Sequence, residues 1–530
     1  MRGGNAAEQS RRCVEERHGS AGALRASGGM GGPIEAPHVK RMPEYDVIVV
    51  GAGNAALAAA VSAREQGAGR VVVLEKAPPE LRGGNTHYSG GLFRFAFDRA
   101  EDLRPLVPDA EQHVKGFMTG VQPYPHALFR ADLMRVTEGR TDPELSELLI
   151  SRSYDTIRWV AAQGIAMEPA VSLSGIKVGD VIKWSPGAVI RARQEGVGLS
   201  RMWFESAERR GVEIRYRTTA TKLIQDSRGR VTGVAVHGRD GLSELTAKAV
   251  VLGCGGFESD PSWRARYLGR PWDHAKVRGT RYNTGDGLRM ATDVGALPYG
   301  QWTGCHSTPI DADAPPFGDR KLTDKTNRLS YPFGVLVNTR GRRFFDEGED
   351  FQLYTYAKLG GIILNQPGGV AWQIFDQKAV PFLEGRYKTG QPATADTLKD
   401  LVGALALDRE SALRTLEAYN DALAGGTFDP TVHDGLATSG LELPKSNWAQ
   451  RLDTPPFLAY PVTGGITFTF GGVKVNDRAQ VLDTSWESIP GLYACGEMVG
   501  GLFHTNYPGG TGLMSGAVFG RLAGAGAGGE

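Results

Sequence analysis

A glycine turn near the amino terminus constrains the fold of this chain more than any other feature. Residues 45–50 are almost all apolar and lead into Gly51, Gly53 and an alanine-rich segment. Gly51 permits a tight turn, Gly53 lets a pyrophosphate approach the backbone, and the small Ala56 lets a helix pack close to the strand. The exposed amides and the dipole of such a helix favour a bound anion. The pattern therefore predicts a strand–turn–helix unit that binds phosphate groups.

A second apolar run favours a dinucleotide over an ordinary turn. Residues 71–74 are apolar and end in Glu75, the position at which an acid holds a ribose hydroxyl. Glycine-rich turns also occur without nucleotides, and Glu75 alone would equally suit the exposed end of a strand. The strand, helix, second strand and acid in register together predict that FAD or NAD binds here.

Composition argues against several other classes of protein. The chain has 530 residues, enough to bury more core than one ordinary domain. Its 60 Lys and Arg residues balance 59 Asp and Glu residues, so charge gives no reason to expect nucleic acid as a partner. The four cysteines lack the spacing of a disulfide framework or of a zinc, iron–sulfur or haem site. We expect no metal, a reducing cytoplasm and, because no apolar run is long enough, no membrane span.

Changes in composition predict the domain organisation. Residues 1–42 lack apolar periodicity, and we interpret them as a disordered extension or an over-long start. Residues 43–305 and 465–530 alternate strands, helices and glycine turns, which predicts a split nucleotide-binding domain. Proline, aspartate and lysine become frequent after residue 305, so residues 306–464 are expected to form an inserted second domain. This organisation predicts an α/β fold.

Local patterns predict further elements. Apolar residues recur on one helical face over residues 142–163, and residues 220–236 have the pattern of a hairpin. The small residues of 512–523 predict a closely packed final helix. Tyr354 and Tyr356 lie two apart, so they would share a face if their segment is a strand, where core packing would suit them.

Three motifs resemble those of a known superfamily. They occupy residues 82–86, 283–288 and 491–497. In this order they resemble the motifs of the FAD-dependent fumarate reductase, succinate dehydrogenase and 3-ketosteroid dehydrogenase superfamily, and the similarity extends over residues 44–524. The resemblance implies a Rossmann-like FAD-binding domain, split into amino- and carboxy-terminal parts, with an inserted α+β capping domain that covers the substrate.

Within this superfamily, the tricarballylate dehydrogenase branch is most similar. The similar stretches are residues 331–333, 346–351, 354–358, 465–472 and 506–513. That branch oxidises a saturated tricarboxylate to its alkene and passes electrons to a separate iron–sulfur partner. The resemblance thus implies hydride transfer from a carbon–carbon bond next to a carboxylate to flavin N5. It also implies a small carboxylate substrate and an iron–sulfur protein or quinone as the electron acceptor.

Departures from the superfamily pattern argue against one activity and against covalent attachment of the flavin. Phe351 stands where fumarate reductases place a proton-donating arginine. Phe468 and Tyr507 replace their substrate histidine and arginine, which argues against fumarate reduction. Asn85 stands where succinate dehydrogenases link the flavin through a histidine, so the resemblance implies non-covalent FAD.

The motifs also imply a set of cofactor-binding residues. Thr511, Asp286 and Glu497 would also suit helix caps, and the Asn85–Thr86 pair would also suit a turn. The set expected to contact FAD is Gly51, Gly53, Asn54, Ala55, Ala56, Glu75, Lys76, Gly84, Asn85, Thr86, Ser89, Gly90, Gly91, Ala220, Asp286, Gly496, Glu497, Thr511, Gly512 and Leu513.

Five residues are catalytic candidates. Tyr507, followed by Pro-Gly, resembles the ketosteroid dehydrogenase tyrosine that polarises a carbonyl. His306 lies where relatives present a substrate histidine, although a single histidine is more often structural. Tyr331 offers a phenol donor. His504 and Arg94 are further candidates that would equally suit ordinary surface or loop positions.

Other functions stay open at this stage. The tyrosines also favour a ketosteroid-type Δ-dehydrogenase that acts on a neutral ketone or enone. A related flavoprotein module uses oxygen, so a flavin-dependent oxygenase is another alternative. The non-enzymatic alternative is an accessory subunit that binds FAD without turnover.

Overall fold

The computed structural model describes residues 45–178 and 181–530. The extension predicted for residues 1–42 lies outside the described residues. Throughout the described part of the chain, every helix is too short or too polar to cross a membrane.

Strands and helices are interspersed along the chain. The strands are β1 (Tyr45–Val50), β2 (Val71–Glu75), β3 (Leu92–Phe93), β4 (Met167–Pro169), β5 (Gly175–Val178), β6 (Val181–Trp184), β7 (Ile190–Ala192), β8 (Glu213–Tyr216), β9 (Thr219–Gln225), β10 (Val231–Gly238), β11 (Gly241–Leu252), β12 (Lys276–Val277), β13 (Pro298–Tyr299), β14 (Cys305–Asp311), β15 (Val335–Asn338), β16 (Val370–Phe375), β17 (Ala393–Ala395), β18 (Phe457–Thr469), β19 (Gly472–Val473), β20 (Gln480–Leu482) and β21 (Ser488–Ala494). The α-helices are α1 (Asn54–Glu65), α2 (Ala110–His113), α3 (Phe117–Gly120), α4 (His126–Val136), α5 (Pro143–Ala162), α6 (Val171–Ser174), α7 (Glu195–Arg209), α8 (Pro261–Trp263), α9 (Asp286–Asp293), α10 (Gln352–Leu364), α11 (Leu398–Ala404), α12 (Arg409–Asp421) and α13 (Thr511–Gly528).

The first sheet is built from both ends of the chain. Its strand order is β20-β21-β11-β1-β2-β8, and the pairs from β21 to β8 are parallel. The hairpin β9–β10 adds to β11 in antiparallel fashion. Strands β1 and β2 are buried along nearly their whole length, as a parallel sheet covered on both faces requires. The predicted α/β class is confirmed, and β21 places the carboxy-terminal segment within the same sheet as β1.

Helices α1 and α13 pack against each other at very short range. A Cβ atom on Gly520 would lie 2.4 Å from the carbonyl oxygen of Ala55, and one on Gly524 would lie 2.1 Å from that of Ala59. Glycine on α13 and alanine on α1 therefore allow the two backbones to touch. This contact holds the amino ends of both helices beside the carboxyl edge of the first sheet.

The second sheet is organised around the long strand β18. Its strand order is β12-β18-β16-β15, and β14 and β17 also pair with β18. Helix α10 packs on β14 so closely that a Cβ atom on Gly360 would lie 2.4 Å from Ser307 Oγ. Helices α11 and α12 cover another part of this sheet with a separate apolar core. The domain boundaries at residues 305 and 465 stay a prediction.

Two local predictions have different outcomes. The helix predicted over residues 142–163 is α5, and the Asp142 carboxylate caps it by accepting two backbone N–H groups at 3.0 Å. Tyr354 and Tyr356 lie in helix α10 rather than in a strand, so their side chains point in different directions. Tyr354 contacts Arg94, whereas Tyr356 contacts Tyr507.

Candidate active site

A large cavity opens at the carboxyl edge of the first sheet. With its open mouth included, the cavity measures about 1500 Å³. The turn after β1, the end of β18 and the amino end of α13 contribute to its walls. The predicted cofactor residues that line it are Gly51, Gly53, Asn54, Ala55, Glu75, Lys76, Gly84, Asn85, Thr86, Ser89, Ala220, Asp286, Gly496, Glu497, Gly512 and Leu513.

The four remaining residues of the predicted set lie elsewhere. Ala56 packs against the backbone of Gly253, where a Cβ atom on the glycine would come within 2.9 Å of the alanine Cβ. Thr511, the first residue of α13, is fully buried and does not line the first cavity. Gly90 and Gly91 line a second, neighbouring cavity instead.

The turn after β1 has the geometry that a bound pyrophosphate requires. Gly51 has a φ of +100°, and a Cβ atom there would lie 2.5 Å from the carbonyl oxygen of Gly253. Asn54 N donates to Thr86 Oγ1 at 2.8 Å, and Asn54 Nδ2 donates to the carbonyl of Leu513 at 2.9 Å. Asn54 thus links the starts of α1 and α13 to the segment that contains Thr86. The amino ends of two helices therefore lie side by side and form an anion-binding site, called the phosphate corner below.

The acid at the end of β2 is buried in the cavity wall. Glu75 is 6% exposed and accepts a hydrogen bond from Ala77 N at 2.7 Å. Burial raises the pKa of its carboxyl to about 7. The next residue, Lys76, donates to Asp286 at 2.7 Å and to Thr284 at 2.6 Å, so this lysine and aspartate compensate each other's charge.

The second cavity adjoins the first and measures about 550 Å³ with its mouth included. Its lining includes residues 89–92, Gly510 before α13, and the charged residues Asp324, Glu384 and Arg386. The residues that line both cavities are Ser89, Arg278, Tyr507 and Leu513. A small molecule in the second cavity would therefore meet the end of a ligand that fills the first.

Two tyrosines face each other in the wall of the second cavity. The hydroxyl groups of Tyr356 and Tyr507 are 2.5 Å apart. Burial raises the pKa of Tyr507, but the hydrogen bond from Tyr356 and the nearby charge of Arg278 act in the opposite direction. Burial and the neighbouring Tyr507 raise the pKa of Tyr356 well above its usual range. The positive charge of Arg278 opposes this rise at both tyrosines and favours an ionised phenol in the pair.

Two arginines also line the second cavity, and they differ in how their charge is balanced. Arg386 donates to Asp324 at 2.7 Å and lies 3.5 Å from Glu384, so acids compensate it. Arg278 donates to Thr467 Oγ1 at 3.0 Å and to the carbonyl of Tyr88 at 3.3 Å, which are both neutral. Among residues 45–178 and 181–530, no carboxylate forms an ion pair with Arg278. Its charge is available to an anion in the cavity.

The structure places His306 directly behind the tyrosine pair. Its ring stacks on Phe468, with centroids 5.1 Å apart, and meets Tyr356 and Tyr507 edge-on at 5.0 and 4.9 Å. The imidazole is fully buried, and neither ring nitrogen has a hydrogen-bond partner in the described chain. Burial, with a smaller contribution from Arg278, lowers its pKa well below the usual value. His306 is thus a neutral packing neighbour of Tyr507 that lines neither cavity.

The other three catalytic candidates also lie outside both cavities. Tyr331 is fully buried, and its hydroxyl contacts Thr355. Arg94 is fully buried and donates to the carbonyl of Gly509 at 2.8 Å, which fixes the loop before α13. His504 Nδ1 contacts the hydroxyl of the adjacent threonine at 2.9 Å. Their catalytic roles stay a prediction.

The first cavity lies at the carboxyl edge of a parallel sheet, beside a glycine turn and two helix amino ends, where folds of this class bind a dinucleotide. Residues 46–513 match the FAD binding domain family, and the chain belongs to this family. It is 28% identical to a fumarate reductase (cytochrome) of Shewanella frigidimarina, over 92% of this chain and 77% of that protein. It is also 28% identical to a 4-oxocyclohexanecarboxylate 2-dehydrogenase of Sinomonas cyclohexanicum, over 90% of this chain and 91% of that protein.

A solved structure has the same architecture. The open conformation of a flavocytochrome c3 fumarate reductase superposes with a TM-score of 0.68 and 26% identity, covering 92% of this chain and 79% of that one. The resemblance predicted from the sequence is thereby confirmed at the level of the superfamily. The chain binds FAD and is an oxidoreductase of the fumarate reductase superfamily that acts on carbon–carbon bonds.

Proposed function

We propose that this protein is a dehydrogenase that desaturates a carbon–carbon bond next to a carboxylate, in a tricarballylate-like polycarboxylate. Arg278 supports this proposal, because it is a cation with neutral hydrogen-bond partners at the junction of the two cavities. An arginine binds a carboxylate through two parallel hydrogen bonds, which fixes the orientation as well as the position of the substrate.

The residues around the junction have complementary roles in this proposal. Gly51, Gly53, Glu75 and Gly512 would hold FAD in the first cavity, and bound FAD supplies the hydride acceptor. Arg278 binds the substrate carboxylate and stabilises negative charge that develops on it. Tyr507 acts as a phenolate: once its own proton has passed to solvent, it takes the proton from the carbon next to that carboxylate. Tyr356 donates a hydrogen bond to the phenolate oxygen, and the charge of Arg278 favours the ionised form. Electrons then leave to a separate acceptor, an iron–sulfur protein or a quinone.

The tyrosine pair supports a second candidate, a Δ-dehydrogenase that acts on a neutral ketone. A phenol whose oxygen is 2.5 Å from a second phenol can donate a strong hydrogen bond to a carbonyl. The relative from Sinomonas is named for a substrate that carries both an oxo group and a carboxylate. The two candidates therefore differ in whether Arg278 is needed.

Anaerobic bleaching of the flavin absorbance separates the two candidates. Tricarballylate, succinate and the neutral ketone cyclohexanone would be titrated into the wild-type holoenzyme and into Arg278→Gln. We expect carboxylates to bleach the flavin and Arg278→Gln to weaken their binding by about 10- to 100-fold, the usual worth of a charged hydrogen bond. Arg281→Gln, an exposed arginine three residues away, is the matched control. Bleaching by the ketone alone, equally fast in all three proteins, would favour the second candidate.

A further inference from the structure

A buried and a half-buried carboxyl group meet beside the FAD cavity. Glu497 follows β21 and lines the cavity, and its Oε1 accepts from Thr469 N at 2.6 Å and from Thr469 Oγ1 at 3.0 Å. Glu258 follows the neighbouring strand β11 and is fully buried. Since β11 and β21 are parallel neighbours, their carboxyl ends bring the two acids to the same place.

The hydrogen bonds of Glu258 leave one of its oxygens for Glu497. Glu258 Oε1 accepts from Asn85 Nδ2 and from Asn283 Nδ2, both at 2.6 Å. Its Oε2 is buried and has no donor among the described residues. The side chains of Glu258 and Glu497 are in hydrogen-bond contact with each other. A carboxyl–carboxyl hydrogen bond requires a proton on one of the two groups.

The surroundings favour a single shared proton. Burial and the charge of Glu497 raise the pKa of Glu258 well above its usual range, and burial also raises the pKa of Glu497. Two adjacent carboxylates in such a place cannot both ionise near neutral pH. Arg264 faces the pair, but it donates to the backbone carbonyl of Glu258, at 2.7 Å, and not to the carboxylate. The thiols of Cys254 and Cys305 also face the pair, and burial raises the pKa of each, so both stay neutral.

We propose that the Glu258–Glu497 pair holds one proton and that FAD binding is coupled to uptake of this proton. The cavity side of Glu497 is open to water before FAD enters and is covered afterwards. Losing that water disfavours the second negative charge, so the pair holds its proton more tightly in the holoprotein. Because binding and protonation are linked, FAD affinity then falls as pH rises from the pKa of the Glu258–Glu497 pair in the free protein to the pKa of the pair in the FAD complex.

Calorimetric titration of FAD into the flavin-free full-length chain tests this coupling. Repeating the titration in buffers with different ionisation enthalpies counts the protons taken up. In Glu258→Gln the amide oxygen still accepts from Asn85 and Asn283, while the amide nitrogen donates to Glu497. At a pH between the pKa of the pair in the free protein and that in the complex, we expect this variant to bind FAD but to take up as much as one proton fewer than wild type. We also expect it to lose the pair's contribution to the pH dependence of FAD affinity, which is at most about tenfold per pH unit.

The controls separate the pair from other titrating groups. Glu75 also titrates in the cavity, but its contribution cancels in the difference between wild type and Glu258→Gln because it is unchanged. Glu417→Gln, at an exposed position on α12, should behave as wild type. If Glu258→Gln does not fold, Glu497→Gln is expected to remove the same proton. Equal proton uptake by wild type and a folded variant, or the same change of FAD affinity with pH in both proteins, would overturn the proposal.

Discussion

The Tyr507 hydroxyl offers the sharpest test at the scale of one residue. Tyr507→Phe keeps the ring packing against His306 and Phe468 but removes the oxygen that contacts Tyr356. Because that oxygen is the proposed proton acceptor, we expect kcat to fall by about 10²- to 10⁴-fold with the flavin spectrum unchanged. Stopped-flow measurement of flavin bleaching under anaerobic conditions gives the rate directly.

A matched substitution shows whether the loss is specific to the site. Tyr154→Phe also removes one hydroxyl, which donates to the carbonyl of Asp102 at 2.8 Å and lines neither cavity. This variant should bleach at the wild-type rate. If Tyr507→Phe bleaches its flavin at a rate within threefold of wild type, the phenol is not the proton acceptor. Arg278 would then still position the substrate, but another group would take the proton.

Individual residues also show where prediction from sequence ends. The sequence predicts Tyr507 from a motif next to α13 and Glu75 from the end of an apolar strand, and both residues line the FAD cavity. Arg278 and Arg386 carry no local signal, because distant segments of the chain bring them to the second cavity. Tyr356 lies in a stretch with a local signal, but its contact with Tyr507 joins residues 151 positions apart. His306 was predicted at the substrate site, but the aromatic rings that enclose it come from β18, α10 and the loop before α13, and no short stretch of sequence encodes that enclosure.

At the scale of elements, the contact between α1 and α13 is the most sensitive to substitution. A methyl group at position 520 would lie 2.4 Å from the carbonyl oxygen of Ala55, which is backbone and cannot move aside. Gly520→Ala should therefore push the helices apart and destabilise the protein by about 1–3 kcal/mol, the usual cost of overpacking. FAD affinity should fall with stability, since the two helix amino ends share the phosphate corner.

Gly403 on α11 provides the opposite case. No atom lies within 4 Å of a Cβ added there, and Gly403→Ala should be neutral or stabilise the helix by up to about 1 kcal/mol. Urea unfolding of both variants, followed by tryptophan fluorescence, gives the two free energies of unfolding. Equal stability of Gly520→Ala and wild type would mean that the helices separate without cost.

The elements that were predicted share one property. The turn after β1, the hairpin β9–β10 and helix α5 are each specified by residues close together in sequence, through turn glycines, alternation or helical periodicity. The segment with Tyr354 and Tyr356 was open to a strand interpretation because two tyrosines at that spacing suit either structure. Its helical state follows from packing of α10 on β14 and β18, which requires Gly360 and is invisible from local sequence.

At the scale of the whole molecule, the FAD cavity joins segments that are far apart in the chain. Its walls run from Val50 to Gly516, and they include the end of β18, which belongs to the second sheet. A ligand in such a cavity contacts only the folded state, because the unfolded chain does not bring these segments together. FAD should therefore stabilise the entire described fold rather than one part of it.

Thermal unfolding with and without FAD measures this effect and tests non-covalent binding in the same experiment. At a free FAD concentration of about 100 times Kd, the added free energy of unfolding should be about 2.7 kcal/mol, and the transition should stay single.

Riboflavin lacks the phosphates and adenosine that the α1 turn and Glu75 would hold, so at equal concentration it should stabilise far less. After unfolding, the flavin should pass an ultrafiltration membrane, because Asn85 offers no ring nitrogen for attachment. Flavin retained with the denatured chain would contradict non-covalent binding. Equal stabilisation by riboflavin would mean that the protein binds mainly the isoalloxazine ring and gains little from the phosphates and adenosine.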